Sequence, residues 1–412
     1  MALNIMSNET CQKTSVDCLH AAATSRPNVV TCSLGLFAGS PHVALCAQCS
    51  RRTPTEVSQP GRALDTIAVA LPQPPTQPNV MRRSLINGIR PQNGHGTRLI
   101  LRSHLSPGDI VMLTAAVRDL HRSHPGRFQT AVETSAPELW EHNPLISKID
   151  HATEPWRAVD MQYPLVNQSN QRPVHFLQGY AEYLGQQLGL SIPITEFRGD
   201  VYLSEEEKHW TNQVEEQFGY RGRFWIILAG GKRDFTTKWW APRSYQQVVD
   251  HFLGRIQFIQ CGQADHWHPP LTGTLNLIGK TSIRQFIRLM YHADGVICPI
   301  TFAMHLAAAV PRKEKRLRPC IVIAGGREPP HWEAYPGHHF LHTIGCLPCC
   351  EHGGCWKSRC QQVNDGDVKD RENLCERPVQ VSADLKIPQC MMLVRPEDVI
   401  HSVERTLTYG VC

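Results

Sequence analysis

The chain has 412 residues, a formal net charge of +5 and 19% charged residues. That length suffices for two domains with full cores, and the small positive balance fits an anionic ligand but not a nucleic-acid surface, since no dense Lys/Arg run is present. No stretch approaches about 18 uninterrupted apolar residues, and the N-terminus lacks the basic-then-apolar order of a secretion signal, so neither a spanning helix nor export is expected and a cytoplasmic, reducing setting is.

Residues 1–95 mix Ser, Thr, Pro, Gln and scattered Cys without sustained periodicity. They read as disordered or as a non-native extension, with a linker-like PQPPTQPNV at 72–80 and an alternative start at Met81. Cys46 and Cys49 form a Cys-x-x-Cys pair without evident partners.

Order begins near Thr97. TRLILRS reads as a buried strand, and SPGD turns it into a helix with Ile110, Leu113, Val117 and Leu120 at helical spacing. RFQTAVET is the next strand, followed by a short helix in APELWEHNP, a short strand in LISKID and a helix in PVHFLQGYAEYLGQQLGL. The second half opens on one amphipathic helix, EEEKHWTNQVEEQFG. FWIILAGG, RIQFIQCG, LNLIG, GVICPI and RPCIVIAGG then read as strands, the last closing the sheet. Helices APRSYQQVVDHFLG, SIRQFIRLMYHA and FAMHLAAAV lie between them, and PEDVIHSVERTL closes the chain. Strand–helix–strand order at this pitch predicts an α/β fold of two Rossmann-like domains facing a cleft.

Ligands of such sheets sit beyond the carboxyl ends of the strands, at helix N-termini. Asp109 falls at such a turn, as either a helix cap or a catalytic base. Gly230 and Gly231 permit close backbone approach, and Lys232, Arg233 and Lys238 bring charge suited to a diphosphate. The alternative is a solvated loop with Trp239 and Trp240 plugging the core. Gly262 and Asp265 fit a ribose or a plain turn. Thr301, Met304 and His305 open a small-residue helix whose free N–H groups could take an anion, although a lone His is commonly structural. Arg327 and Glu328 reach the cleft or belong to a rigid Pro-containing connector.

Seven cysteines lie between Cys346 and Cys390: these two and Cys349, Cys350, Cys355, Cys360 and Cys375. A Cys-x-x-Cys pair with later single cysteines describes a tetrathiolate metal site, with disulfides as the alternative, and the reducing setting favours metal. Iron and zinc are not separable on this basis.

Taken in order, these segments resemble glycosyltransferase family 9, the ADP-heptose heptosyltransferases of the GT-B fold. The matching residues are GDIVMLTAAVRDL at 108–120, HPGR at 124–127, NPLI at 143–146, KW at 238–239, NLIGKTS at 276–282, ADGVI at 293–297 and MHLAAA at 304–309. The resemblance implies an acceptor domain over 96–200, a nucleotide-sugar domain over 201–340, a metal finger over 341–395 and a closing helix over 396–412. It makes Asp109 the base and Lys238 the residue that neutralises the leaving diphosphate, with no catalytic metal. Gly230, Gly231, Lys232, Gly262, Thr301, Met304, His305, Arg327 and Glu328 are the expected donor-binding residues. Family members often carry Asp-Thr-Gly where this chain has Ile300, Thr301 and Phe302, so the donor acid is missing there. The cysteine segment is similar to the finger of the autotransporter-modifying subgroup, which implies Cys346, Cys349, Cys375 and Cys390 as ligands to a structural iron or zinc.

The expected reaction is inverting transfer of a heptose or related sugar from an ADP-sugar to a hydroxyl on lipopolysaccharide, another glycan or a protein. Peripheral association with the inner membrane is compatible with it. Two rival readings are a metal-finger binding protein and a non-catalytic nucleotide-sugar-binding protein on the same scaffold.

Overall fold

The computed structural model describes residues 96–148, 156–163, 165, 168–314 and 316–410, together with the backbone of three short strands, Ala21–Ala23, Val30–Cys32 and Ala38–Gly39. The remainder of residues 1–95, including Cys46, Cys49 and Met81, and the end of LISKID lie outside the described residues.

The N-terminal half is built on β1 (Thr97–Ser103), α1 (Pro107–Ser123) and β2 (Phe128–Thr134). α1 starts where Pro107 presets the first turn, and its buried face runs from Gly108 through Leu120. A third strand, β3 (Arg157–Asp160), pairs with β1, giving a parallel sheet in the order β2-β1-β3. This strand was not expected: RAVD is short and mostly exposed, so it carries no apolar run. Of LISKID, Ile146 makes only an isolated bridge to Thr130. α2 (Phe176–Leu188) ends at Gly189, whose left-handed backbone closes the helix.

The connector that follows is anchored to α1 by a buried ion pair. Arg118 and Asp119 pair at 2.9 Å, Arg118 donates to the Arg198 and Glu196 carbonyls, and Asp119 accepts from the Thr195 hydroxyl at 2.6 Å. Removing one partner of such a buried pair costs about 3–5 kcal/mol, so residues 195–198 are fixed to the helix.

The expected single helix over 205–219 is two helices, α3 (Glu205–His209) and α4 (Gln213–Phe218). The Asn212 side chain accepts from the amides of Val214 and Glu215, which starts a new helix where a continuous one would have run.

The C-terminal sheet comprises β4 (Phe224–Ile227), β5 (Gln257–Gln260), β6 (Leu275–Asn276), β7 (Gly295–Pro299), β8 (Cys320–Gly325) and β9 (His338–His342). They run parallel in the order β9-β8-β7-β4-β5-β6. β4, β7 and β8 are buried along their whole length, which is why they read as unbroken apolar runs. β9 corrects the expectation that β8 ends the sheet: HHFLH is an edge strand with one buried residue, Phe340. Helices α5 (Pro242–His251), α6 (Ile283–His292) and α7 (Phe302–Ala309) cover the faces.

The cysteine segment folds back onto this sheet through a hairpin of β10 (Pro378–Ser382) and β11 (Leu385–Pro388). α8 (Pro396–Tyr409) closes the described chain. No helix among the described residues is long and apolar enough to cross a membrane.

Candidate active site

Asp109 occupies the third position of α1, with Ser106 at the cap. The expected choice between cap and base is therefore not exclusive. The Ser106 amide donates to the Asp109 carboxylate, as does the Tyr163 hydroxyl. Ser106 does not cap the helix with its hydroxyl. That oxygen accepts instead from Lys232 Nζ at 3.0 Å, a bond that crosses from the second half. Burial raises the Asp109 pKa above the usual carboxylate value, opposed by the charge of Lys238, by the bonds from Ser106 and Tyr163, and by Lys232.

Lys238 ends the 3-10 turn Arg233–Lys238. Its side chain is 22% exposed, and the ammonium pairs with Glu328 at 3.1 Å. Burial and the neighbouring Arg327 pull its pKa below the ordinary lysine range, while Glu333 and Asp109 act in the opposite direction. Glu333 is buried, and burial pushes its carboxyl up. Lys238 and Arg327 oppose that rise, and Asp109 adds to it. One acid from the first half thus faces an ammonium and two acids from the second.

His305 is buried at the junction. Its Nδ1 lies 2.7 Å from the Tyr335 hydroxyl and its Nε2 lies 3.9 Å from Glu333. Burial holds the ring neutral. A Cβ on Gly108 would lie 2.8 Å from the His305 ring, so glycine at 108 lets the two halves meet. His305 thus packs where the two halves meet. Met304 is fully buried in the hydrophobic core, which corrects its place among donor-binding residues: a side chain with no exposed surface has none to offer a ligand.

The paired glycines also differ from expectation. Gly231 and Trp267 exchange both backbone hydrogen bonds, at 2.9 and 3.0 Å, and a Cβ on Gly230 would lie 2.0 Å from the Trp267 carbonyl. Gly262 lies under His268, whose Nδ1 is 2.7 Å from the Ala229 carbonyl. Gly230, Gly231 and Gly262 therefore admit the chain's own 263–270 loop, and Trp267 stacks on Trp239 with centroids 4.1 Å apart.

Thr301 caps α7 without a side-chain bond, and its hydroxyl has no partner. Ile300 is buried and Phe302 packs on Phe286. The acids of the site come instead from the loop after β8, as Glu328 and Glu333. Glu333, Tyr163 and Tyr335 were missed by sequence reasoning. Glu333 sits two residues before Tyr335 in a Pro-rich connector that gives no periodic signal.

Arg327 is in contact with Glu328 but turns toward the cysteine segment, donating to the Lys357 carbonyl at 2.7 Å. A cavity of about 10 Å³ there is lined by Cys349, Cys350, Cys355, Cys375 and Cys390. Backbone amides favour ionised sulfur at three of them: Arg377 donates to Cys375 at 3.4 Å, and Lys357 and Gly326 donate to Cys355 and Cys390. Burial pushes Cys355 and Cys390 up to about 11 and about 12, a cost that direct ligation to a metal removes. Cys350 is committed as a donor to the Thr343 carbonyl at 3.4 Å. Cys346 is exposed and outside the lining, whereas Cys355, not among the four expected ligands, is part of it. No three of these sulfurs lie within 4.8 Å of one another, so a metal would draw them inward. The donor set, the backbone amides and the small cavity fit a tetrathiolate ion.

Among the described residues, Glu141, His142 and Glu207 form the one His/Cys/Asp/Glu group whose ligand atoms lie within 4.8 Å. Arg284 already neutralises it, pairing with Glu207 and, at 3.3 Å, with Glu141.

Residues 158–335 match the family model of glycosyltransferase family 9 (heptosyltransferase). No curated protein sequence matches the chain. Among solved structures, a family 9 glycosyltransferase from Veillonella parvula DSM 2008 is similar over 77% of this chain and 99% of its own, with 13% identity and a TM-score of 0.52. The dodecameric iron-containing glycosyltransferase TibC from enterotoxigenic E. coli H10407 is similar over 76% of this chain and 77% of its own, with 16% identity and a TM-score of 0.50. A TibC structure in complex with ADP-D-beta-D-heptose gives 14% identity, 77% and 78% coverage and a TM-score of 0.51. At such identities these structures establish the shared α/β GT-B fold. Residues 158–335 thus match the glycosyltransferase family 9 model within a chain of the shared α/β fold.

Proposed function

We propose that the chain transfers a heptose or related sugar from an ADP-sugar to an acceptor hydroxyl with inversion, in the cytoplasm. The observation that carries this reading is the facing of Asp109 and Lys238 from opposite halves, each within reach of the other's charge. Asp109 accepts the proton of the acceptor hydroxyl, which attacks the anomeric carbon. Tyr163 and the Ser106 amide fix the carboxylate's direction. Lys238, the bare N-terminus of α7 and the unpartnered Thr301 hydroxyl meet the charge of the departing diphosphate. Glu328 holds Lys238 until the diphosphate arrives. The ADP-heptose complex of TibC supports the donor class.

The test is incubation of purified protein with ADP-, UDP- and GDP-sugars, scored by mass spectrometry for released nucleotide and transferred sugar. Turnover of ADP-heptose in preference to the others is expected. Preference for a UDP-sugar would overturn the donor assignment, and binding without turnover would favour the non-catalytic reading.

Cys349, Cys355, Cys375 and Cys390 would hold a structural iron or zinc, which when bound supplies folding energy to the segment. Iron in TibC supports iron. Elemental analysis should find about one metal per chain, lost in the C355S and C375S variants and retained in C346S. Loss in C346S with retention in C355S would restore the quartet that contains Cys346.

A further inference from the structure

The cysteine segment does more than close a metal site. Residues 354–360 pass across both loops that supply the second half's charged groups. The Thr237 hydroxyl donates to the Lys357 and Ser358 carbonyls at 2.8 and 2.9 Å, and the Cys360 amide donates to the Thr236 hydroxyl at 2.7 Å. Arg359, fully buried, donates to Asp234 at 2.8 Å and to Asp370 at 2.6 Å. These bonds fix the turn that ends in Lys238. In parallel, the Cys355 and Trp356 amides donate to the Gly326 and Arg327 carbonyls, which fixes the backbone entering Glu328.

The same segment reaches the first half at Phe176, on which Trp356 packs with centroids 6.3 Å apart, and through hydrogen bonds to one side chain. Asn170 Nδ2 donates to the Gly354 carbonyl at 2.8 Å, and its Oδ1 accepts from the Gly354 amide at 2.9 Å and from Trp356 Nε1 at 3.1 Å. Both polar groups of one peptide residue and an indole N–H are thus read by a single amide. Beside it, Trp332 Nε1 donates to the Ser169 carbonyl at 2.6 Å, and Trp332 and Phe176 pack with centroids 4.8 Å apart. A Cβ on Gly353 would lie 2.5 Å from Asn170 Oδ1. Asn170 lies seven positions after Tyr163, the donor to Asp109.

We propose that Asn170 is a positioning residue for transfer: by clasping Gly354 and Trp356 it ties the Asp109-bearing half to the segment that holds Lys238, and so sets the spacing of the two. This rests on the reading of Asp109 and Lys238 given above. Without the clasp, the spacing of Lys238 and Asp109 would rest on the Lys232–Ser106 and Trp332–Ser169 bonds and the seat of His305 on Gly108, none of which is a hydrogen bond to the segment that holds Lys238. Misplacement of reacting groups by about 1 Å costs about 100-fold in rate, so a clasp of three hydrogen bonds acts on turnover before it acts on folding.

The test uses the full chain with its metal and ADP-D-beta-D-heptose as donor, with ADP release as the readout. N170A is expected to lower kcat by about 10–100-fold while KM for the donor changes by less than about twofold, with a melting temperature lower by no more than about 3 °C. N170D, which keeps the acceptor for Gly354 and Trp356 but loses the donor, should recover part of kcat. G353A, which displaces the Asn170 side chain without removing it, should reproduce the loss. Hydrogen exchange at the Gly354 amide should accelerate in N170A. Wild-type kcat in N170A and G353A, alongside a D109N control that is inactive, would overturn the clasp. A D109N control as active as wild type would instead overturn the catalytic reading on which it rests.

Discussion

Replacing Asp109 with Asn is expected to lower transfer by about 10²–10⁴-fold, the range supplied by a positioned general base. Asn has the same shape and still accepts from Tyr163 and the Ser106 amide, so the start of α1 is kept. The lost property is the ability to take a proton. The pH dependence of the wild type carries the same signature. The base works only when ionised, so its rate falls as pH drops through the folded pKa of Asp109, which burial places above the usual carboxylate value. Stability runs the other way. An acid whose folded pKa is raised binds more protons folded than unfolded between the two values, so its contribution to stability declines as pH rises through that window. A neutral Asn avoids this, and D109N should melt no lower than wild type at pH 7. Transfer within tenfold of wild type would remove Asp109 from the mechanism, and a melting point well below wild type would make the activity loss structural.

The second large effect is expected at Lys238. Its replacement by Ala removes the ammonium that meets the leaving diphosphate, and kcat should fall by about 10²–10³-fold. The variant also strips the countercharge from three neighbouring acids. Glu328 retains Arg327 as a partner, but Asp109 loses the strongest influence holding its pKa down. The residual activity of K238A should therefore show an acid limb displaced to higher pH. A limb that stays in place would mean that Lys238 and Asp109 do not share one electrostatic field, and the facing arrangement would be wrong even if kcat fell.

Much of the fold was legible because the sheets are buried on both faces. FWII, GVICP and CIVIAG read as strands since every residue in them is apolar, small or otherwise accommodated in the interior. β3 and β9 were not legible for the same reason inverted: RAVD and HHFLH lie at sheet edges and bury one residue each. In the site, Asp109 and Lys238 were found because a turn and a cationic loop mark strand ends. Glu333, Tyr163 and Asn170 act through contacts across more than 50 positions of sequence, and no local spacing encodes such contacts. The glycines illustrate the opposite limit. Gly230, Gly231 and Gly262 correctly announced close approach, but a glycine states only that something comes near, and here it is the chain's own Trp267 and His268.

The cysteines separate in a similar way. Spacing grouped Cys346 with Cys349, since a Cys-x-x-Cys pair is the local form of a thiolate corner. The fold also brings Cys355 to the cavity because the run 354–360 is pinned to the loops after β4 and β8.

The seat of His305 on Gly108 has a mechanical consequence. With the imidazole resting on a residue that has no side chain, this contact between the two halves has no slack. A straight approach of α7 toward α1 at this place would drive the ring into the α1 backbone, so the seat sets a lower limit on their separation. The Lys232–Ser106 bond, two residues before Gly108, holds the two halves in the opposite sense: one contact keeps them apart and the other keeps them together.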